Sequence, residues 1–280
     1  MAGLAFARTL RDEAKNTWRT SDPAGLDVSA IEYLDARCLE LAREDGLDRR
    51  TGVTWPDGTA IALLVTLEVP LSMTAEQAFE QIGRARGPGA ARAGDTSIMR
   101  FCRALDEAGA LDAVEIAVPG DHARMAQLLA LREEVPASVN RRIGRAKQDV
   151  DGRIEKTAGD IIVPFEHLEE LLSRCDREFA GRHLDAAVWG HVSDGNVHPN
   201  VLARSFAEVE SGRAAILEVG RAAIALGGSP LAEHGVGRNR IKQQQLEDLY
   251  GREGIEDMRA VKRALDPRWT LAPGVLFPPA

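Results

Sequence analysis

The chain has 280 residues, 44% of them hydrophobic and 28% charged, which is enough to bury a core without disulfides or structural metals. Its 43 acidic side chains outnumber the 35 Lys and Arg, and a net charge of -8 has the wrong sign for a phosphate-backbone binder, so nucleic acid is not expected as a partner. The three cysteines form no Cys-x-x-Cys pair, the N-terminus lacks signal-peptide features, and the longest apolar run is too short to span a bilayer; we expect a cytoplasmic protein.

Hydrophobic periodicity predicts helices and strands in alternation along the chain. Thr74 and Gln77 form a capping-box pattern at the start of one helix. Residues 87–95 are rich in glycine and small side chains, so we interpret them as a mobile loop and place no domain boundary there. In chain order the predicted elements are helix 4–18, strand 28–34, helix 36–42, strand 61–69, the helix capped by Thr74, helix 96–108, strand 113–118, helix 121–134, strand 161–163, helix 165–178, strands 184–191 and 197–202, helix 206–225, and helices 239–250 and 255–264.

The connections between these elements indicate the fold class. No predicted strand is followed by Gly-x-Gly-x-x-Gly or by a lysine-containing phosphate loop, so neither a Rossmann site nor a P-loop is indicated. Connections of mixed length and one hairpin favour an α+β fold, with a mainly antiparallel sheet flanked by helices, over a doubly wound parallel sheet. The last predicted elements are helices, so the fold is expected to end in helices.

Two histidines flank the turn of the predicted hairpin. Asp194-Gly195 is typical of a two-residue type I′ turn, in which both central residues have positive φ. This turn would place His191 directly opposite His198, with β carbons about 4.5 to 5.5 Å apart, so that both imidazoles could bind one metal ion. The alternative is a pair of half-buried polar side chains in a sheet.

A second candidate segment contains adjacent glutamate and histidine side chains. Glu233 and His234 lie in a Gly-flanked, turn-like stretch, where the backbone can aim neighbouring side chains at different targets. One could bind metal and the other substrate, and two histidines with one carboxylate would leave coordination positions open for catalysis. The alternative is a solvated loop, and the sequence alone does not bring Glu233 near the hairpin.

Basic residues are concentrated between the predicted helix 121–134 and the predicted strand 161–163. Such a run is usually a solvated face. In an acidic protein it can also bind a carboxylate substrate, because guanidinium groups bind carboxylates in bidentate fashion. The run follows Arg132 and consists of Arg141, Arg142, Arg145, Lys147, Arg153 and Lys156.

Several blocks of the sequence resemble the C-terminal domain of the FAD-linked oxidases of the vanillyl-alcohol-oxidase type. This family includes cytochrome-linked D-lactate dehydrogenases, the glycolate oxidase large subunit and D-2-hydroxyglutarate dehydrogenase. The two most specific blocks are the hairpin and the Glu-His-Gly segment, in this order and before the closing helix. The blocks are SAIEYLD at 29–35, LRE at 131–133, GDIIVP at 159–164, GHVSDGNVHPN at 190–200, AEHGVGRN at 232–239, and MRAVKRALDP at 258–267 with LAPG at 271–274.

The resemblance implies a ferredoxin-like cap domain that sits on the flavin of a separate FAD-binding domain. One domain would span residues 1–280, with an N-terminal helix in 1–26, the α+β cap in 27–204 and a helical part in 205–280. Because nothing in the chain matches the FAD-binding domain, we expect a split subunit, a truncated product or a fragment, and a flavin-binding subunit or domain as its partner.

The resemblance also implies roles for individual residues. The metal would be zinc, manganese or iron, held by the residues that match His191, His198 and Glu233. The residue that matches His234 would be the general base, removing the hydroxyl proton while hydride passes from the α carbon to FAD. The carboxylate of a 2-hydroxy acid, such as D-lactate or glycolate, would be bound by residues that match Arg132, Asn200 and Lys156.

The sequence departs from the family pattern at several positions. Ala272 stands where many relatives have Asn, which puts a flavin contact in doubt, and Ser193 stands where Gly is usual. Lys147 is a rival to Lys156. Two other functions stay open: a catalytically silent metal-binding or interaction protein derived from the family, and a stand-alone metal hydrolase.

Overall fold

The computed structural model describes residues 2–85 and 94–278, so most of the predicted loop at 87–95 lies outside the described residues. Within those residues, each helix is too short or too polar to cross a lipid bilayer. The strands are β1 (Val28–Asp35), β2 (Ile61–Leu67), β3 (Thr157–Ala158), β4 (Ile161–Ile162), β5 (Ala186–His191) and β6 (Asn196–Val201). The α-helices are α1 (Ala2–Thr20), α2 (Ala36–Glu44), α3 (Leu47–Thr51), α4 (Ala75–Ala85), α5 (Ser97–Glu107), α6 (His122–Asp149), α7 (Leu168–Gly181), α8 (Phe206–Ala225) and α9 (Arg240–Leu265).

The strands pair in an antiparallel sheet with the order β2-β1-β5-β6-β3, and β4 also pairs with β6. Together with the flanking helices, this confirms the predicted α+β fold class. The chain folds into two compact units. Unit 1 contains residues 1–140 and 189–193, and unit 2 contains residues 141–188 and 194–280.

Unit 1 combines a small part of the sheet with two sets of helices. Helix α1 packs on β1 and β2 and buries Ala7, Leu10 and Ala14, as the helical periodicity predicts. The capping box is confirmed, because the Gln77 N–H donates to Thr74 Oγ1 at 3.2 Å and the Thr74 N–H donates to Gln77 Oε1 at 3.0 Å. Helices α4 and α5 then pack around a core cluster formed by Ala78, Ala85, Ile98, Cys102 and Val118.

Unit 2 places helices against strand β6 and its partners. Strands β3 and β4 run antiparallel to β6, and helix α8 packs on all three. Helices α7 and α9 pack against α8 in turn. The buried residues of α8 recur every three or four positions, which is the spacing of one helical face. They are Val209, Gly212, Ala215, Ile216, Val219, Gly220 and Ala223.

The predicted strand 113–118 is wrong. Residues Leu111–Ala113 form a 3-10 turn, and residues 114–118 pair with no strand among the described residues. Glu115 instead forms an ion pair with Arg124 and accepts hydrogen bonds from the N–H and hydroxyl of Thr54. Ile116 is 42% exposed, so the apolar run that suggested a strand does not mark a buried face.

The predicted end of helix 121–134 is also wrong, because α6 continues through Pro136 to Asp149. A proline inside a helix removes one hydrogen bond and costs about 3 kcal/mol. Leu131, Val135 and Val139 are buried at four-residue spacing on both sides of the proline, and this continuous apolar face offsets the cost. At the other end of the chain, the backbone leaves the helical conformation at Gly251 (φ 70°, ψ 175°), so α9 consists of two helical stretches, as predicted for 239–250 and 255–264.

The connection between β5 and β6 differs from the predicted two-residue turn. Residues 192–195 form a four-residue turn, and Gly195 has positive φ (80°) while Asp194 does not. The Val192 N–H donates to Ile31 O, and Gly195 O accepts from Val163 N–H, so both groups bond to residues outside the hairpin. Leu202 N–H donates to Asp185 O, which sets a register two residues away from the predicted one.

Candidate metal and substrate site

The segment 157–162 runs antiparallel to β6 and positions the first residue of the candidate site. Ala158 pairs with Asn200, and Ile161 pairs with Val197. Both pairs belong to one unbroken register, so Asp160 lies opposite His198. Asp160 is 1% exposed and His198 is 7% exposed, which makes both of them buried polar residues of unit 2.

A second segment, 229–234, lies on the other side of the same short strands. Ser229 and Ile162 exchange two backbone hydrogen bonds of 2.8 Å each, and the Ala232 N–H donates to Asp160 O at 3.0 Å. These bonds bring Glu233 and His234 to His198, although more than 30 residues separate them in the sequence. The sequence alone did not bring this segment to β6, because the pairing uses only backbone groups.

Glu233 stands between two imidazoles. Its Oε1 is 3.1 Å from His198 Nε2 and 3.3 Å from His234 Nε2, and the two rings have centroids 5.2 Å apart. One ligand atom from each of Asp160, His198, Glu233 and His234 lies within 4.8 Å of all the others. We call these residues the four-residue group.

The four-residue group has the chemistry and spacing of metal ligands. Imidazole nitrogens and carboxylate oxygens are the donors that zinc, manganese and iron accept. Two atoms bound at roughly 2.0 to 2.2 Å to one ion are themselves roughly 2.8 to 3.6 Å apart at tetrahedral or octahedral angles. Both distances from Glu233 Oε1 fall in this range, so His198 and Glu233 are spaced as two ligands of one divalent cation, and His234 Nε2 lies beside them.

Asp160 is a site residue that the sequence reasoning missed. Its Oδ2 accepts the N–H groups of Glu233 (3.0 Å) and His234 (2.7 Å), and its Oδ1 accepts from Asn196 Nδ2 (3.3 Å). Burial alone would raise the pKa of Asp160, but these hydrogen bonds and the nearby Lys242 ammonium lower it below its usual value. The available signal was the GDIIVP block, which carries this aspartate.

Two asparagines share the face of β6 that carries His198. Residues 196, 198 and 200 alternate with 197, 199 and 201 along the strand. Asn200 is 1% exposed; its Nδ2 donates to His198 O at 2.9 Å. Within the described residues, the buried Oδ1 atoms of Asn196 and Asn200 accept no hydrogen bond. Such oxygens are costly in a stable fold unless a ligand or water completes them.

The remaining predicted site residues are His191, Arg132 and Lys156. His191 and Arg132 belong to unit 1, where both contact one carboxylate: His191 Nδ1 is 2.9 Å from Glu32 Oε2, and Arg132 Nε is 3.0 Å from Glu32 Oε1. Lys156 is in unit 2. Partial desolvation lowers the pKa of its ammonium, although much of the side chain stays exposed.

The fold and the four-residue group together define an α+β domain with one cluster of ligating side chains in unit 2. The family model for the C-terminal domain of FAD linked oxidases matches residues 2–276 of this chain. The chain therefore belongs to the family of C-terminal domains of the FAD linked oxidases.

Curated relatives agree with this family. The chain is similar to a mitochondrial D-lactate dehydrogenase [cytochrome] of Arabidopsis thaliana, with 34% identity over 43% of this chain and 21% of that protein. It is also similar to the glycolate oxidase subunit GlcD of Bacillus subtilis, with 36% identity over 42% of this chain and 25% of that subunit. A mitochondrial D-2-hydroxyglutarate dehydrogenase of Bos taurus matches 95% of this chain at 27% identity, over 42% of its own length. The chain spans less than half the length of these relatives.

Proposed function

We propose that this chain is the substrate- and metal-binding half of an FAD-dependent 2-hydroxyacid dehydrogenase, whose flavin is bound by another domain or subunit. The observation that carries the proposal is the convergence of His198 Nε2, Glu233 Oε1 and His234 Nε2. The relatives support the substrate class, because their names refer to D-lactate, glycolate and D-2-hydroxyglutarate.

In this proposal His198 and Glu233 hold a divalent cation such as zinc, manganese or iron. The cation supplies Lewis acidity that lowers the pKa of a substrate hydroxyl, and the flavin supplies the hydride acceptor. His191 is the third ligand predicted from the sequence, and cobalt titration of a His191→Ala variant tests whether it binds the cation.

His234 accepts the hydroxyl proton at Nε2. The His234 side chain is 62% exposed and Nε2 is 3.3 Å from Glu233 Oε1, so the ring is beside a proposed ligand and open to a substrate. Asn200 and Lys156 bind the substrate carboxylate. Arg132, which forms an ion pair with Glu32 in unit 1, stays a candidate for this carboxylate from the family resemblance alone.

Cobalt titration of the purified chain tests the metal site, because Co²⁺ replaces zinc and gives visible absorption bands. We expect one Co²⁺ per chain, and we expect His198→Ala and Glu233→Ala to lose the bands. His167→Ala is the matched control, since His167 is a partly exposed histidine of unit 2 outside the four-residue group. A His191→Ala variant, titrated in parallel, tests the third predicted ligand. Unchanged cobalt binding by His198→Ala would contradict the metal site.

The same spectrum tests the substrate class. D-lactate or glycolate should change the cobalt bands, whereas propionate, which lacks the hydroxyl group, should not. In the flavin-containing complex isolated from its own host, His234→Ala should keep its metal and lose flavin reduction by the hydroxy acid. A chain that binds cobalt but does not respond to any 2-hydroxy acid would instead support the silent metal-binding protein.

A further inference from the structure

We propose that Asp160 is the positioning residue of the four-residue group: its buried carboxylate fixes the backbone of Glu233 and His234 and places a negative charge beside Nδ1 of His198. This inference rests on the proposed function, because it gives the carboxylate a role in building that metal site. It concerns a residue that touches the groups around the metal and is itself not a ligand.

Asp160 contacts two consecutive peptide groups. A single oxygen, Oδ2, accepts the N–H groups of both Glu233 and His234, at 3.0 and 2.7 Å. Two donors on one acceptor fix the orientation of the peptide unit between them, and this determines where both side chains start. Hydrogen bonds to an ionised acceptor are also shorter and stronger than neutral ones.

The two side chains that Asp160 anchors through their backbone are exposed to solvent. Glu233 and His234 are 46% and 62% exposed in their side chains. Packing therefore contributes little to their position, and the backbone anchor decides where Oε1 and Nε2 lie. Gly235 follows with a positive φ of 64°, so the chain turns away directly after the anchored pair.

The carboxylate of Asp160 also lies close to the ring of His198. Asp160 Oδ1 lies 3.7 Å from His198 Nδ1, on the opposite side of the ring from Glu233. This distance is too long for a hydrogen bond, but a negative charge beside Nδ1 favours the ring tautomer that carries its proton there, which leaves Nε2 as the metal-binding nitrogen. Lys242 Nζ, 3.7 Å from Oδ2, balances the buried negative charge.

Asp160 is a positioning residue and not a fourth ligand, because its oxygens already accept hydrogen bonds. Oδ2 has two N–H partners and Oδ1 accepts from Asn196. A ligand would have to give up at least one of these bonds in a site that is 1% exposed, and the freed donors would then be buried without an acceptor.

Cobalt affinity of Asp160→Asn tests the inference. The variant keeps the shape of the side chain but loses the charge, and it replaces one acceptor oxygen by a donor. We expect 10- to 100-fold weaker Co²⁺ binding. At saturating Co²⁺ the band positions and intensities should match those of the wild type, because the ligands are unchanged.

Asp266→Asn is the matched control. Asp266 is another buried carboxylate of unit 2; it accepts the N–H groups of Thr270 and Leu271 and contacts Lys262. Its loss weakens the fold in the same way but leaves the four-residue group intact, so its cobalt affinity should stay within twofold of the wild type. Similar losses of affinity in both variants would reduce Asp160 to a general structural role and overturn the inference.

Failure of this inference and failure of the proposed function give different results in the cobalt titrations. If the wild type binds no cobalt, the metal site of the proposed function fails. If the wild type and Asp160→Asn bind equally well, the metal site stands and the role of Asp160 is wrong. A changed band pattern at saturation would make Asp160 a ligand, which also overturns the inference.

A second measurement covers the case in which Asp160→Asn does not fold. Amide hydrogen exchange of the wild-type chain reports directly on the N–H groups of Glu233 and His234. We expect both to be protected although their side chains are exposed, because Asp160 holds them. Exchange as fast as that of an open loop would contradict the anchor without any variant.

Discussion

The carbonyl oxygen of Ile162 leaves no room for a side chain at position 228. A β carbon on Gly228 would lie 2.1 Å from this oxygen and 2.9 Å from the Cα of Val163, and both atoms belong to backbone that cannot rotate away. The close approach is what allows Ser229 to pair with Ile162. Gly228 therefore contributes to placing Glu233 and His234, although it touches neither.

We expect Gly228→Ala to lower the free energy of unfolding by about 2–4 kcal/mol and to weaken cobalt binding, because the added methyl group pushes segment 229–234 away from β4. Urea unfolding measures the first effect and cobalt titration the second. Gly144→Ala is the control: Gly144 lies inside α6 with open space around its position, so alanine should be neutral or stabilising there. Unchanged stability of Gly228→Ala would contradict the packing argument.

The side chains with the clearest chemistry were predictable from the sequence, and the residue that anchors their backbone was not. His198, Glu233 and His234 were named from the hairpin and the Glu-His pair, together with the family resemblance. Asp160 was missed because its role is to accept backbone N–H groups from a segment more than 70 residues away. A pattern of residue types cannot show which peptide groups a carboxylate will meet.

The end of helix α9 depends on a single carboxylate. Asp266 follows the helix and is 6% exposed. The Lys262 ammonium, followed by the Leu271 N–H, holds the pKa of Asp266 well below its usual range, and Thr270 adds two further hydrogen bonds. The ionised carboxylate thereby joins the last turn of α9 to the chain that follows.

This lowered pKa predicts how the stability of the helix end depends on pH. A carboxylate with a lowered folded-state pKa stabilises the fold fully above its unfolded pKa, about 3.9, and loses that contribution as the pH falls through the folded-state value. We expect Asp266→Asn to melt at a lower temperature at pH 7, and we expect the difference from the wild type to narrow below about pH 4. Thermal melts followed by tryptophan fluorescence measure this, and a difference that does not depend on pH would contradict it.

Elements with one clearly buried face were predictable from periodicity, as α1, α5 and α8 show. Elements whose conformation depends on contacts with residues distant in the sequence were not predictable in this way. Residues 113–118 carry β-branched side chains but have no strand partner among the described residues, and α6 passes through Pro136 because Leu131, Val135 and Val139 stay buried in one line. The hairpin turn was mispredicted because residues 192–195 form a four-residue turn in which Gly195 but not Asp194 has positive φ, whereas Asp-Gly is typical of a two-residue turn.

For the whole chain, the fold class followed from the mixed connections and from the family blocks, and the family match over residues 2–276 confirms the family. The division into two compact units was not predicted. Strand β5 contributes residues to both units and helix α6 does so too, so neither composition nor linker signals mark a boundary. Packing between segments distant in sequence, and not local sequence, defines the two units.

Metal binding should stabilise unit 2 selectively if the four-residue group is the metal site, because all four of its residues belong to that unit. A ligand that binds only the folded state at about 100 times its Kd adds about 2.7 kcal/mol to the free energy of unfolding. In hydrogen exchange with and without Zn²⁺, we expect added protection in the peptides that contain 157–162, 196–201 and 229–242. His198→Ala should remove this protection and a chelator should reverse it, whereas protection spread evenly over residues 2–85 would mean that the ion acts somewhere other than the four-residue group.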